Sequence, residues 1–100
     1  FPGSCLISIA QIISVLKSKT DLAMIDMEDI TRHYPKTLKK WRENFMSVVP
    51  QVREMGYSQS FINMWEYYFL YCEAGFLERN IGDFQLVFAK SGARDIKVEY

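Results

Sequence analysis

SQSFINMWEYYFLYCEAGFLERNIGDFQLVFAK, residues 58–90, decides how the rest of the chain is read. It reads as one long aromatic helix, a short turn and a buried strand. Ser58 is placed to cap the helix, with Tyr57 and Ile62 set for a hydrophobic staple across the cap. The helix is predicted over residues 59–77. Phe61, Met64 or Trp65, Tyr68, Cys72 and Phe76 follow its main stripe, while Ile62, Phe69 and Leu70 fall elsewhere. A helix apolar on more than one side belongs between layers rather than on a surface. Asn80-Ile81-Gly82-Asp83 supplies the turn. FQLVFA at 84–89 is too apolar for a strand with one wet face, which predicts a central or covered position.

Working outward, Pro2-Gly3 marks a turn, and Ser8 with Gln11 gives a capping-box start for a helix striped by Ile9, Ile12, Ile13 and Leu16. Residues 22–28 form a second strand candidate. Ala23, Ile25 and Met27 lie on one side and Leu22 and Met24 share the other with Asp26, a pattern that predicts cover on both faces. Residues 29–35 read as irregular, and Pro35 suits the first turn of the next helix. Leu38, Trp41, Phe45 and Val48 or Val49 form that helix's apolar face, with Lys36, Lys39 and Lys40 off it. Pro50 opens a short helical turn that Gly56 closes. A further short strand is expected at residues 96–99. The tally, three to four helices and two sheet strands, is α/β with an incomplete sheet, because two strands alone make no independently stable one.

One hundred residues suit one domain, 1–100, and 49% apolar content with 24% charge excludes disorder. Lys and Arg equal Asp and Glu at 12 each, so no net field favours nucleic acid. Cys5 and Cys72 have no metal-ligand spacing and read as inert, partly buried free thiols of a reducing compartment. The start lacks the basic region of a signal peptide, and Asn63, Glu66 and Glu73 interrupt the long helix as a membrane span. The expectation is a cytoplasmic protein, peripheral at a membrane at most. The chain begins without Met in a loop-like FPGS, which predicts a piece of a longer protein.

No Gly-rich turn between strand and helix is visible, no Cys/His cluster suggests a metal, and one histidine makes no triad. Three blocks nevertheless carry a resemblance: FPGSCLIS at the start, HYPKTLKKWRENF from His33, and MWEYYFLYCEAGF followed by IGDFQLVFAK. In this order they resemble the C-terminal segment of the cyclopropane-fatty-acyl-phospholipid synthase family. The resemblance implies the C-terminal part of a class I, Rossmann-like methyltransferase fold, with the cofactor-binding N-terminal part absent from this chain. It implies S-adenosylmethionine as methyl donor to a cis double bond of a phospholipid acyl chain, with proton loss to a bound bicarbonate closing the ring. The family's bicarbonate-contacting tyrosine is that of its HY block, here Tyr34, and a phenol is a suitable donor to such an ion. Neither cofactor is expected to bind this chain alone. Ser4, Ile7 and Thr31 depart from the family pattern, Thr31 standing where many relatives have Gly.

Other readings stay beside these. Tyr34 also suits plain packing at a helix start, and His33 reads as a loop residue. Tyr68 and Phe69 are the candidates for lining an acyl-chain tunnel, although an aromatic stripe at this spacing is more often core. Glu66 and Glu73, seven apart, are read as a solvated face. Lys36, Lys39, Lys40 and Arg42 form a basic cluster that could meet phospholipid headgroups, each charge contributing about 1 kcal/mol at an anionic surface. The expected partners are the cofactor-binding part of the same protein and phospholipid, with a homodimer as an alternative. Two rival functions are a related methyltransferase acting on another lipid or an amine, and a non-catalytic module for apolar ligands or dimerisation.

Overall fold

A computed structural model describes residues 2–97. It holds α1 (Ile9–Lys19), β1 (Ala23–Asp29), a 3-10 turn (Thr31–His33), α2 (Tyr34–Ser47), α3 (Val49–Glu54), α4 (Gln59–Leu77) and β2 (Phe84–Ala89). The α/β class and its element count agree with the sequence reading. β1 and β2 pair as a two-stranded antiparallel sheet. The Ile30 amide donates to the Asp83 carbonyl at 3.0 Å beyond one end, and the Ser91 hydroxyl meets Asp21 at 2.6 Å beyond the other. The chain divides into two units: residues up to Glu28 together with those from Gln85 on, and Asp29–Phe84.

In the first unit Ser8 caps α1 as expected, its hydroxyl accepting the Gln11 amide at 3.0 Å. Ile9, Ile12, Ile13 and Leu16 are half-buried, while Val15 is exposed. The sheet corrects two expectations. Met24, Ile25 and Met27 of β1 are all exposed, at 40–47%, so neither face of that strand is covered. β2 is half-buried rather than central, because β1 is its one hydrogen-bonded neighbour among the described residues. The apolar pattern reports what the strands can bury, and two strands do not bury it. Ile96 and Lys97 form no strand, and the rest of that expected strand lies outside the described residues.

The second unit is helical. Leu38, Val49 and Ile62 are its buried apolar residues, where α2 and α3 meet α4. Each fully buried side chain of this size contributes about 1.5–3 kcal/mol. The region read as irregular is instead the end of β1 and a 3-10 turn, with α2 starting one residue before Pro35. Ser58 caps α4, accepting the Phe61 amide at 3.1 Å, and Gly56 takes φ +93° after α3, a conformation that costs glycine little. The staple is different from expectation: Tyr57 stacks on Phe61, with centroids 4.4 Å apart, while Ile62 goes to the core. On α2, Trp41 is 46% exposed and Val48 is exposed, so the apolar face is rotated toward Arg42 and Val49. Met64 of the main α4 stripe is exposed and Trp65 takes the inner place.

Candidate functional site

Tyr34 is the first residue of α2, and its placement begins with its backbone. The Tyr34 amide donates to the Thr31 carbonyl, closing the 3-10 turn. Thr31 is the one polar residue buried among the described residues, 1% exposed. Its amide donates to Asp29 Oδ1 at 2.9 Å, and its hydroxyl oxygen accepts the Asp83 amide at 3.0 Å. Asp29 is held in turn by Arg79 Nη2 at 2.9 Å. The Thr31 hydroxyl first, then the Arg79 guanidinium and the Thr31 amide, draw the Asp29 carboxyl down from 3.8 to about 2. The Tyr34 ring is then packed at 4.7 Å from Phe76 of α4 and edge-on to Trp41 at 6.0 Å. Its hydroxyl makes no hydrogen bond to another described residue.

The structure brings Tyr68 into the same neighbourhood. Burial first, then a hydrogen bond with Cys72 one helical turn on, and then the nearby Tyr34, push the Tyr68 phenol above its ordinary value of 10.0. Tyr68 and Cys72 are therefore partners one turn apart on α4. The i, i+4 spacing of Tyr68 and Cys72 is the sequence signal for their contact. Phe69 points elsewhere: its ring meets Phe45 at 6.0 Å and Trp65 at 5.8 Å, which is helix-to-helix packing.

Two charged residues were misplaced by the sequence reading. Arg42 belongs to the helix interface rather than to a solvated cluster, and Glu73 is not on a solvated face. Arg42 Nη2 and Glu73 Oε2 lie 3.5 Å apart with side chains 25% and 18% exposed. Arg42 Nε and Glu73 Oε2 are buried without hydrogen bonds. Glu66 is half-buried, whereas Lys36, Lys39 and Lys40 are exposed as expected. Both cysteines are free, but Cys5 is exposed rather than partly buried. His33 is exposed, and its ring nitrogen accepts from Arg32 at 3.4 Å.

The donor chemistry sorts the implied cofactors. A phenol at a helix start fits an oxyanion such as bicarbonate. The glycines at 3, 56, 75, 82 and 92 include none between a strand and a following helix. Among the described residues no group of three or more His, Cys, Asp or Glu could hold a metal, and no helix is long and apolar enough to cross a membrane.

A two-stranded antiparallel sheet and a helical unit in which the Tyr34 ring packs on Phe76 make this an α/β segment. Comparison with known proteins gives the lineage. The chain belongs to the mycolic acid cyclopropane synthetase family, whose model matches residues 1–86. It is 35% identical over 92 residues to tuberculostearic acid methyltransferase UfaA1 of Mycobacterium tuberculosis, covering 92% of this chain and 22% of that protein. It is 32% identical over 98 residues to cyclopropane-fatty-acyl-phospholipid synthase of Escherichia coli K12, covering 98% and 25%. A synthase of the same name from Citrobacter freundii is 31% identical over 81 residues, covering 81% and 90%. The chain spans about a quarter of the length of the first two.

Proposed function

We propose that this chain is the C-terminal part of an S-adenosylmethionine-dependent methyltransferase that places a methylene bridge across the cis double bond of a phospholipid acyl chain. Family membership supports the methyltransferase class, and the names of the two synthase relatives support the acceptor. The observation that carries the site is Tyr34, in its family block, with its ring packed at 4.7 Å from Phe76 and edge-on to Trp41 at 6.0 Å. Bicarbonate, when bound, supplies a base for the proton lost on ring closure. Tyr34 donates its phenolic hydrogen to one oxygen of that anion and thereby fixes its orientation. Tyr68, whose phenol burial and then Cys72 push above its ordinary 10.0, adds a second polar tip without adding charge beside the anion. The Tyr68 ring supplies apolar wall toward an acyl chain, whereas Phe69 is taken up by packing on Phe45 and Trp65. The cofactor is bound by polypeptide other than these residues, and the protein works at the membrane surface from the cytoplasm.

One observation favours a second reading. A relative of 35% identity is named a tuberculostearic acid methyltransferase, so a methyl branch rather than a ring is the alternative product. Expression of the complete gene product in a host that lacks both products, followed by mass spectrometry of its lipids, separates the readings. A ring and an unreduced methylene branch both add one carbon and two hydrogens and are told apart by fragmentation of the chain. A saturated methyl branch takes two further hydrogens, from a hydride donor and a proton, and is heavier by that amount. Unchanged lipids from a product shown to bind S-adenosylmethionine would remove the lipid assignment. A Tyr34→Phe product with the wild-type rate would remove the role given to Tyr34.

A further inference from the structure

We propose that Thr31, locked by Asp29, Arg79 and Asp83, is the positioning residue that sets the Tyr34 hydroxyl, a role resting on the reading of Tyr34 given above. The turn before α2 has no side-chain cap of its own: Ile30 and His33, which precede the 3-10 turn and α2, make no capping hydrogen bond. The local ties are the Asp29 carboxylate on the Thr31 amide and the 3-10 backbone bonds. Thr31 adds one from a distance in sequence. Its hydroxyl oxygen takes the amide of Asp83, 52 residues away, while its own amide is taken by Asp29. Ile30 adds a backbone bond to the same Asp83, its amide reaching the carbonyl at 3.0 Å. The turn after α4 is thus tied to the turn before α2 at two successive residues.

That tie matters because α4 also carries Phe76, against which the Tyr34 ring packs. Backbone and ring of Tyr34 are referred to the same helix, one through Thr31 and the Asp83 turn, the other directly. Gly82 leaves the room for this. A Cβ there would stand 3.1 Å from the Thr31 hydroxyl oxygen and 2.6 Å from the Phe84 ring. Arg79, in the left-handed conformation at φ 57°, ends α4 so that its guanidinium reaches Asp29. A threonine buried to 1% with its hydroxyl engaged is costly to place, since an unpaired buried hydroxyl or amide is strongly unfavourable. A glycine could make the same turn without the side-chain lock, so the hydroxyl acts on geometry rather than on turn formation.

Thr31→Val keeps the shape and removes the hydroxyl, and Thr31→Ser restores it. In isotope-labelled chain, with the Tyr34 signals assigned by comparison with Tyr34→Phe, Thr31→Val is expected to shift the Tyr34 ring resonances. It should also speed exchange of the Tyr34 amide roughly tenfold relative to core amides such as that of Ile62. Thr31→Ser should return both. Should Thr31→Val fail to fold, Arg79→Gln, at an exposed pair, is expected to move the same signals in the same direction by less. Tyr34 resonances and exchange that stay at wild type in the folded variant would overturn the proposal. In the complete gene product the matching expectation is a fall in kcat with KM for phospholipid unchanged, reversed in Thr31→Ser. A Tyr34→Phe product at full rate defeats the function assigned to Tyr34 but leaves the resonance result standing, so the two failures are distinct.

Discussion

Arg42→Met and Glu73→Leu, made singly and together, test the ion pair that the helix interface hides. At 3.5 Å the two charges attract by about 5 kcal/mol at an effective dielectric of about 20. Desolvation offsets much of this, since each ion gives up several kcal/mol of hydration when buried. Here the offset is enlarged, because Arg42 Nε and Glu73 Oε2 are buried without hydrogen bonds. Removing one partner leaves the other charge stranded between α2 and α4. For a fully buried pair that costs about 3–5 kcal/mol. With side chains 25% and 18% exposed, about 2–3 kcal/mol is expected for each single change. The double variant replaces both charges by apolar groups of similar volume and should lie within about 1 kcal/mol of wild type. The assay is urea unfolding of the chain followed by tryptophan fluorescence. With a slope of about 1–2 kcal/mol per molar urea, each single variant should lower the midpoint by about 1–3 M. The coupling from the cycle should be about 3–7 kcal/mol. Single changes costing less than about 0.5 kcal/mol, as at a solvated pair, would refute the burial argument. So would a double variant as unstable as the sum of the singles.

Asp29, drawn from 3.8 to about 2 by the Thr31 hydroxyl and then Arg79, favours the folded state when ionised. Its contribution is fully present above pH 3.8 and is lost as pH falls toward 2; urea midpoints across that window should fall more steeply for wild type than for Asp29→Asn. Gly82→Ala drives a Cβ to 2.6 Å from the Phe84 ring, so a loss of about 1–3 kcal/mol is expected, read as a lower thermal midpoint. Tyr68, raised by burial and then by its bond to Cys72, should ionise above 10.0, read as the absorbance step that Tyr68→Phe removes. Cys72→Ala should bring its midpoint down while leaving it above 10.0, because burial is the larger cause.

The long helix was legible to the residue because two independent signals agree there: Ser58 as cap and an apolar stripe running to Leu77. The same pairing of cap and stripe made α1 legible from Ser8. Where only a stripe was available, the reading slipped. Trp41 and Arg42 are about 100° apart on α2, and hydropathy points Trp41 inward. The facing helix presents Glu73, so Arg42 turns in and Trp41 lies beside Tyr34 at the surface. A sequence period gives an angle; the partner chooses which neighbour fills it. Thr31 was hidden for another reason. Its burial comes from Asp83, 52 residues away, and no local pattern encodes a contact of that span. The apolar strands were legible as strands but not as half-covered ones, because composition states what could be buried, not what is.

The aromatic helix shows how these levels combine. Its sequence is apolar on two sides, and in this chain one side is used: Ile62, Trp65, Phe69, Cys72 and Phe76 turn inward to varying depth. On the other side Met64, Tyr67 and Tyr71 are 57–67% exposed, with the two tyrosines stacked on each other. A helix with that much unshared apolar surface gains little further stability from the side left open, so its inner side must hold it. Beside the core of Leu38, Val49 and Ile62, the inner contacts include those that hold Tyr34: Phe76 against its ring and the Asp83 turn locked to Thr31. Stability and the aim of the phenol therefore share residues. Under the proposed reading, changes meant to alter chemistry at Tyr34 will also register as changes in folding, and the serine rescue at Thr31 is what separates the two.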